Sequence, residues 1–213
     1  MKNKKSQKNI FLENEGDNWF ERNKNISKKE DDEIVKIIDY LELKYNSLLE
    51  IGCSTGYRLN LLKSDNKDLY GIDPSAKAIE YGLKNYKNLK LSQGTADSLN
   101  FESDKFEIVV FGFCLYLADR DDLFKIAFEA DRVLKNNGHI IILDFEPPIE
   151  HKNEYHHKNG VFSYKMDYSK MFSWNSRYTL KYKHVFNHGG DSKEIFDKDS
   201  RVSISVLFKN DLF

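Results

Sequence analysis

Apolar runs alternate with segments of helical periodicity over much of the chain. Four such runs, Ser47 to Ile51, Leu69 to Asp73, Phe106 to Phe111 and His139 to Phe145, have the length and composition of buried strands. Between the runs, apolar residues recur at the spacing of a helix that buries one face. Since strands that alternate with helices build a parallel sheet, the pattern predicts an α/β domain.

Three connecting segments carry more specific predictions. Asp119 to Leu134 repeats apolar residues at helical spacing and predicts an amphipathic helix. Lys135 to Gly138 is rich in asparagine and ends in glycine, so it predicts the turn that enters the fifth strand. Leu89 to Gln93 alternates polar and apolar residues and predicts a short strand ahead of the loop that contains Asp97.

The segments outside residues 47–145 do not follow this alternation. Residues 146–176 are polar and rich in histidine, and we interpret them as an insertion. Arg177 to Asn187 and Arg201 to Lys209 predict a closing hairpin. Ser27 to Glu30 has a capping-box pattern ahead of a helix that ends near Leu43. We therefore expect an N-terminal helical region over residues 1–46 and one domain over 47–213, with the insertion at about 146–176.

Composition and charge narrow the class of protein. The chain has 213 residues, of which 40% are hydrophobic and 31% charged, which suits one globular domain. Its formal net charge of -1 gives no electrostatic reason to expect nucleic acid or membrane binding. No run is apolar enough to span a bilayer, and Met1 to Asn9 lead into no signal-peptide core. We expect a cytoplasmic protein whose two cysteines form no disulfide framework.

A glycine turn at the end of the first strand carries the candidate chemistry. Gly52 and Gly56 remove side chains where the backbone bends or approaches a ligand, and a helix begins after them. Asp73 ends the next strand about 20 residues later, where nucleotide-binding βαβ units place the carboxylate that binds ribose hydroxyls. The pattern therefore indicates an adenosine-containing ligand.

The residues around the turn discriminate between two such ligands. The dinucleotide fingerprint G-x-G-x-x-G requires a glycine where this chain has Ser54, and its spacing also differs. The carboxylate of Glu50 would repel a pyrophosphate, but it suits a ligand with an ammonium group and a positive sulfur. An NAD(P)-dependent Rossmann oxidoreductase would explain Asp73 but not Glu50, and it is the first alternative function.

Glu50 to Gly56 resembles the first motif of the Rossmann-like (class I) S-adenosylmethionine-dependent methyltransferases. That motif reads acid-x-G-x-G-x-G, and Ser54 replaces its middle glycine here. The chain is similar to the small-molecule type 11 and type 12 members, over residues 45–145 by motif and 177–209 by topology. The resemblance implies a doubly wound, mostly parallel α/β sheet of about seven strands with an antiparallel closing strand. It also implies a lid ahead of the motif, which is one interpretation of residues 10–23; packing on the domain is the other.

The resemblance further implies how the cofactor is bound. Glu50 would hold the ammonium group of S-adenosylmethionine, Asp73 the ribose hydroxyls and Asp97 the adenine amino group, with S-adenosylhomocysteine as the product. An ordinary turn residue is the other interpretation of Asp97. The predicted cofactor-binding residues are Glu50, Gly52, Cys53, Gly56, Asp73, Pro74, Ala96, Asp97, Phe111 and Gly112.

The methyl acceptor and the residues that bind it are predicted less specifically than the cofactor. We expect a small-molecule acceptor, with a sugar or surface-glycan precursor as the suggested class and O- or N-methylation as the reaction. The suggested base or positioning groups are His151, His156 and Tyr116, and the suggested substrate contacts are Trp19, Phe20, Arg22, Tyr164, Lys165 and Tyr168. An ordinary surface loop is the alternative interpretation of the insertion. Its histidines lack the spacing of a zinc site, so no metal is expected.

A non-catalytic adapter that keeps the cofactor pocket as structure is the second alternative function. Retention of Glu50, Gly52, Gly56, Asp73 and Asp97 argues against it, because an adapter does not need all five residue types. The oligomeric state stays open.

Overall fold

The computed structural model describes residues 6–25, 32–188 and 197–211. The strands in these ranges are β1 (Ser47–Ile51), β2 (Asp68–Asp73), β3 (Lys90–Gln93), β4 (Phe106–Gly112), β5 (Leu134–Phe145), β6 (His151–Glu154), β7 (Phe162–Lys165), β8 (Tyr178–Asn187) and β9 (Arg201–Lys209). Seven of them form one sheet in the order β3-β2-β1-β4-β5-β9-β8. β9 runs antiparallel to both of its neighbours, and the other pairs are parallel. The predicted sheet with an antiparallel closing strand is therefore confirmed.

Helices cover both faces of this sheet. The described helices are α1 (Gln7–Ile10), a π-helical turn (Phe11–Glu15), α2 (Gly16–Asn23), α3 (Glu33–Tyr40), α4 (Tyr57–Leu61), α5 (Ala76–Asn85), α6 (Leu123–Val133) and α7 (Lys170–Ser173). Leu48 packs in one buried cluster with side chains of α3, α4 and α5, while Leu49 packs in another with α6 and α7. Successive side chains of a strand point to opposite faces, so the two clusters are the two layers of a doubly wound fold. Within the described ranges, no helix combines the length and apolar character needed to cross a bilayer.

The order of the sheet reverses at β1, which pairs with β2 on one side and with β4 on the other. In open α/β sheets, ligands bind outside the carboxyl ends of the strands at this position. β1 ends at Ile51, β2 at Asp73 and β4 at Gly112, so their ends meet at one edge. This reversal brings the glycine turn and Asp73 together.

The prediction of a turn ahead of the fifth strand is wrong in detail. β5 begins at Leu134 and includes residues 135–138. The register between β4 and β5 shifts between Phe106 and Ile108, so these four residues bulge out of the ladder. Asn137 has a φ of 63°, and its backbone therefore bends inside the strand as it would in a turn.

Two other segments also differ from the prediction. The helix predicted from Asp119 begins at Leu123, after a short 3-10 turn. The insertion predicted at 146–176 contains a sheet of its own, because β6 and β7 pair antiparallel and α7 follows them. The polar residues of β6 give no apolar pattern from which a strand could be predicted, because a sheet of two strands leaves many side chains exposed.

The N-terminal helical segment is fixed to the domain at both ends. The side-chain amide of Gln7 donates to the Leu117 carbonyl at 2.7 Å and accepts the Phe162 N–H at 2.6 Å. Farther along, the Asp17 carboxylate accepts the Ser75 hydroxyl at 2.7 Å. The segment therefore packs across the carboxyl ends of the strands.

The helix that follows the N-terminal segment begins at a different cap from the predicted one. The capping box at 27–30 lies outside the described residues. Asp32 caps α3 in the structure, where its Oδ1 accepts the N–H groups of Ile34 at 2.9 Å and Val35 at 3.2 Å. This cap places the Asp32 carboxylate beside the carboxyl ends of the strands.

Candidate cofactor and acceptor site

One cavity of about 440 Å³ opens at the carboxyl ends of the central strands. Two predicted residues do not line it. Gly56 lies at the start of α4, and Phe111 is fully buried in the core. The other eight predicted cofactor-binding residues line it: Glu50, Gly52, Cys53, Asp73, Pro74, Ala96, Asp97 and Gly112. The structure therefore brings most of the predicted set into one space.

The glycine turn has an alternating left-handed backbone. Gly52 has a φ of 74°, Ser54 of 49° and Gly56 of 72°. A side chain at Gly52 would place its Cβ 2.6 Å from that of Cys114, so this position requires glycine for space as well as for conformation. Ser54 adopts a conformation that costs a non-glycine residue free energy, and its N–H donates to Asp73 Oδ2 at 2.8 Å. The turn and Asp73 are thus connected directly.

Glu50 is a buried carboxylate in which one of the two oxygens has no hydrogen-bond partner among the described residues. Its side chain is 2% exposed, and Oε1 accepts a hydrogen bond from Nη1 of Arg58. Oε2 is buried and has no partner among the described residues. Burial raises the pKa of Glu50 to about 7, although the Arg58 charge acts in the opposite direction. A buried acceptor without a partner is costly unless a ligand supplies a donor.

Arg58 is a site residue that the sequence prediction missed. Its Nε donates to both oxygens of Asp32 at 2.9 Å, so the guanidinium lies between two acids. Gly112 faces it, because a Cβ there would collide with Nη1. In the sequence, a basic residue two positions after the turn was the available signal; the Asp32 partner comes from a distant element.

Asp73 combines two backbone contacts with a position in the cavity wall. Its oxygens accept the Ser54 N–H at 2.8 Å and the Ser75 N–H at 2.9 Å. Burial nevertheless raises the pKa of Asp73 to about 6. Each carboxylate oxygen has a second lone pair, so Asp73 can also accept hydrogen bonds from two vicinal hydroxyls.

Asp97 is already paired with a lysine from the N-terminal segment. Its Oδ2 accepts from Lys8 Nζ at 2.6 Å. Burial alone would raise the pKa of Asp97, but hydrogen bonds from Lys8 and Thr95 hold it below its usual value. Lys8, Phe11 and Trp19 all line the cavity, so the N-terminal segment forms part of the wall near the predicted adenine position.

Aromatic rings form the opposite side of the cavity, which we call the acceptor side: Phe113, Tyr116, Phe145 and His188. The His188 ring lies edge-on to Phe113 at 4.8 Å, and the Tyr116 ring lies edge-on to Phe145 at 5.1 Å. The backbone N–H of His188 donates to the Ser200 carbonyl at 2.8 Å, which fixes this end of β8. Sequence reasoning placed His188 in a loop and assigned it no role. The strand pairing that brings it to the cavity is a long-range feature.

The acceptor side is shaped by the buried carboxylate of Asp144. Its oxygens accept the Leu115 N–H at 2.9 Å and the Phe145 N–H at 2.8 Å. Burial raises the pKa of Asp144 to about 7. Burial, with the nearby Asp144 charge, also raises the pKa of the Tyr116 phenol well above its usual value. Tyr116 is therefore suited to donate a hydrogen bond and poorly suited to act as a base.

Both cysteines line the cavity as structural residues. Neither forms a disulfide, and Cys114 Sγ lies 3.3 Å from the carbonyl oxygen of Ile51. Burial raises the pKa of both thiols well above their usual value, which makes thiolate formation unfavourable. Cys114 is therefore part of the wall between Gly52 and the acceptor side.

The two histidines suggested as bases lie outside the cavity. His151 lies in β6, where its Nδ1 contacts the Ile149 carbonyl at 2.9 Å and its Nε2 lies 3.4 Å from Asp199. His156 is exposed in the turn of the insertion. Tyr116 alone of the three suggested groups reaches the cavity. No group of three metal-binding side chains occurs in the part of the chain that the structure describes.

Trp19 lines the cavity, but the other suggested substrate contacts are held elsewhere. The Phe20 ring packs on Tyr81 at 5.7 Å, and Arg22 pairs with Glu15 at 2.6 Å. The remaining three lie in or after β7. The Tyr164 ring lies beneath the Arg120 guanidinium at 4.3 Å, and Lys165 forms an ion pair with Asp199 at 3.3 Å. The Tyr168 hydroxyl donates a hydrogen bond to the Tyr164 carbonyl at 2.7 Å. The Tyr164 and Lys165 contacts connect the insertion to the rest of the domain.

Comparisons with known proteins agree with the geometry. Residues 49–142 match the family model described as a methyltransferase domain. The uncharacterized methyltransferase YcgJ of Bacillus subtilis is 30% identical over 47% of this chain and 41% of its own length. A demethylmenaquinone methyltransferase of Thermotoga maritima is 31% identical over 54% of this chain and 49% of its own length. The chain thus spans less than half the length of these curated relatives.

The fold is also found in a solved structure. The 1,6-didemethyltoxoflavin-N1-methyltransferase of Burkholderia thailandensis, with its substrate and S-adenosylhomocysteine bound, has a TM-score of 0.76. It is 10% identical, and the similarity covers 95% of this chain and 89% of that chain. At this identity the likeness shows a shared fold.

Proposed function

We propose that this chain, which belongs to the class I S-adenosylmethionine-dependent methyltransferases, transfers a methyl group from that cofactor to a small-molecule acceptor. The observation that carries the proposal is the buried Glu50 carboxylate at the carboxyl end of β1, whose Oε2 has no partner among the residues that the structure describes. The family match over 49–142 and the strand order support the same assignment.

The charges of the cavity fit a cationic adenosyl ligand. Asp32, Glu50 and Asp73 line it together with Arg58, so the carboxylates outnumber the guanidinium on this side. A sulfonium and an ammonium group are attracted to such a site, whereas a pyrophosphate is repelled. An NAD(P)-dependent oxidoreductase would also use Asp73 to bind a ribose. It would, however, have to bind the phosphates of its cofactor beside these carboxylates.

S-adenosylmethionine, when bound, supplies an activated methyl group that a nucleophile can displace. The chain's own residues orient the ligands and exclude water, which is the main protein contribution when the leaving group is already good. We assign Glu50 to the ammonium group, Asp73 to the ribose hydroxyls, and the backbone around Asp97 to the adenine. The Lys8 contact to Asp97 supports a lid role for the N-terminal segment over this position.

His188 is the residue that we assign to proton removal from a hydroxyl acceptor. It is the histidine that lines the cavity, and it lies on the aromatic acceptor side. Histidine is the side chain that most often serves as a general base in proton transfer. Tyr116 would donate a hydrogen bond to the acceptor in the same region.

The acceptor class that we propose is a ring-shaped small molecule, with a sugar or surface-glycan precursor as the class to test first. Aromatic walls give ring-shaped ligands a large contact area, and Tyr116 and His188 add polar contacts. Two similar proteins are named for acting on ring compounds, demethylmenaquinone and 1,6-didemethyltoxoflavin. That likeness supports a ring acceptor without choosing among ring types.

The proposal is tested by measuring S-adenosylhomocysteine released from S-adenosylmethionine in the presence of two acceptor panels. One panel holds sugar nucleotides and glycan fragments, and the other holds phenols, quinols and nitrogen heterocycles. Release with a sugar acceptor supports the full proposal. Release with the aromatic panel alone overturns the sugar assignment, and cofactor binding without release from either panel favours the non-catalytic adapter.

A further inference from the structure

Phe113 has a backbone conformation that its residue type disfavours. Its φ is 54°, in the left-handed region. The other non-glycine residues with a positive φ in the described part of the chain are all polar: Glu42, Ser54, Asn88, Asp104 and Asn137. Asparagine and aspartate tolerate this region best, whereas a bulky side chain there is an outlier. Such an outlier persists only where its surroundings enforce it, and it points to a functional constraint.

The backbone on both sides of Phe113 is held in place. Its N–H donates to the Leu143 carbonyl at 2.8 Å, which continues the pairing of β4 with β5. Farther along, the buried Asp144 carboxylate accepts the N–H groups of Leu115 at 2.9 Å and Tyr116 at 3.3 Å. These contacts fix a left-handed bend between β4 and the turn that follows it. At this bend, Phe113 lines the cavity.

The ring of Phe113 contacts the imidazole that we assign to proton removal. The centroids of the Phe113 and His188 rings are 4.8 Å apart, and their planes meet at 63°, which is an edge-on arrangement. Both rings also lie edge-on to the Phe145 ring, at 5.5 Å and 5.6 Å, so three rings meet on the acceptor side. The contact with Ser200 fixes the backbone of His188, and side-chain contacts of this kind orient its ring.

We propose that Phe113 is a positioning residue, whose strained backbone is kept because its ring orients the His188 imidazole toward the acceptor. The inference rests on the proposed function, and it deepens it by naming the residue that positions the assigned base. A base must lie within hydrogen-bonding reach of the proton that it removes. Edge-on aromatic contacts have a preferred geometry, so they restrict the rotation of an imidazole ring. Glycine would adopt this φ without strain, but it would lose the contact.

A purely structural role for Phe113 makes a different prediction. Its ring is half-buried and packs against the core cluster that contains Leu48. If this packing were its only role, loss of the ring would lower the free energy of unfolding, and any change in kcat would be independent of His188. If Phe113 positions His188, its effect on kcat disappears once the imidazole is removed. A double-mutant cycle separates the two roles.

The experiment measures kcat for the wild type, Phe113→Leu, His188→Gln and the double variant. The acceptor is the compound of the two panels with which the wild type releases most S-adenosylhomocysteine. We expect Phe113→Leu to lower kcat by about 2- to 10-fold, the size of one edge-on aromatic pair, without changing the dissociation constant for S-adenosylhomocysteine. In the His188→Gln background, the same substitution should change kcat by less than about twofold. Phe113→Tyr keeps the ring and should keep most of the wild-type kcat.

Phe101→Leu is the matched control. The Phe101 ring is also half-buried and lies edge-on to the Phe106 ring at 5.1 Å, but it does not line the cavity. This substitution removes the same kind of aromatic pair, so it should lower the free energy of unfolding and leave kcat near that of the wild type. If Phe113→Leu does not fold, Phe113→Asn replaces it in the cycle, because asparagine tolerates a positive φ.

Each outcome decides for or against the inference. A 2- to 10-fold loss of kcat that is absent in the His188→Gln background supports it. Equal losses in both backgrounds, or no loss in Phe113→Leu, overturn it and leave the proposed function standing. If the wild type releases S-adenosylhomocysteine with no acceptor of either panel, the proposed function itself fails, and with it the base that Phe113 is inferred to position.

Discussion

The cofactor side and the acceptor side of the cavity are built from different kinds of residues. The cofactor side presents charged groups that backbone N–H groups or opposite charges hold in place, such as Glu50 and Asp73. The acceptor side presents rings that contact one another, such as Phe113 and His188. Charged groups with fixed partners define which ligand charges are accepted, whereas aromatic walls define mainly shape. The structure of the cavity therefore restricts the chemical class of its cofactor more than that of its acceptor.

The two sides also differ in how far apart their residues lie in the sequence. Residues 50–58 and Asp73 belong to one strand-turn-helix-strand unit. The acceptor side joins Phe113 after β4, Phe145 at the end of β5 and His188 after β8. This contrast leads to four predictions.

The largest effect is expected on the acceptor side. We predict that His188→Gln lowers kcat for a hydroxyl acceptor by about 100-fold, because general-base catalysis contributes at least that much. The dissociation constant for S-adenosylhomocysteine should change by less than about twofold, within ordinary surface-mutation effects. Steady-state kinetics and calorimetry check the two quantities.

His184→Gln is the matched control for that experiment. His184 lies in β8, four residues before His188, and stacks on Phe186 at 5.6 Å, but it does not line the cavity. Its kcat should stay near that of the wild type. An unchanged kcat in His188→Gln would remove this residue from the mechanism.

The next effect is expected on the cofactor side. We predict that Asp73→Asn raises the dissociation constant for S-adenosylhomocysteine by about 10- to 100-fold, the range for hydrogen bonds to a charged group. An amide offers one acceptor oxygen where the carboxylate offers two, so it cannot keep both backbone contacts and accept two hydroxyls. Asp68→Asn is the control, since Asp68 begins the same strand and pairs with Lys90 away from the cavity. Equal affinities for Asp73→Asn and the wild type would separate Asp73 from ribose binding.

A smaller effect is expected from pH. Burial raises the pKa of Glu50 to about 7 and that of Asp73 to about 6, and both must be ionised to hold the ligand as assigned. Lowering the pH through these values protonates both groups in the empty protein, so affinity must fall. Because affinity falls tenfold per unit well below a single controlling pKa, we expect a loss of about tenfold from pH 8 to pH 6. Calorimetry across this range checks the slope, and a pH-independent affinity contradicts the raised pKa values.

The smallest effect is expected at the glycine turn. Ser54 has a φ of 49°, which costs a non-glycine residue about 1–2 kcal/mol, while glycine costs about 0.5–1 kcal/mol in backbone entropy. We predict that Ser54→Gly raises the free energy of unfolding by about 0.75 kcal/mol, the difference between the midpoints of those two ranges. Denaturant unfolding measures it. A clear loss of stability would mean that the hydroxyl has a structural contact that outweighs the strain.

The same contrast explains what the sequence could predict. Gly52, Glu50 and Asp73 lie within one local unit, so their spacing alone indicated an adenosyl site, and the fold places all three in one cavity. The centre of the sheet was equally predictable, because its central strands are buried on both faces and their apolar runs are short and regular.

The residues that the sequence did not predict depend on long-range contacts. Arg58 needs Asp32 from the α3 cap, and His188 needs the pairing of β8 with β9 to reach the cavity. His151 and His156 were suggested because histidine is suited to act as a base. Residue type alone does not predict position, and both lie in a hairpin outside the cavity. The small β6–β7 sheet escaped detection for a related reason, since β6 contains only polar residues and its pairing with β7 is not visible in the sequence.

If Glu50 and Asp73 act as assigned, the cavity binds a cationic adenosyl donor and its product, and titration of the wild-type protein measures this binding. Calorimetry with S-adenosylhomocysteine should give one bound ligand per chain with a micromolar dissociation constant, and calorimetry with NAD under the same conditions should give no binding heat. Binding of NAD without S-adenosylhomocysteine, or of neither, would contradict the assignment of Glu50 and Asp73 on which the account depends.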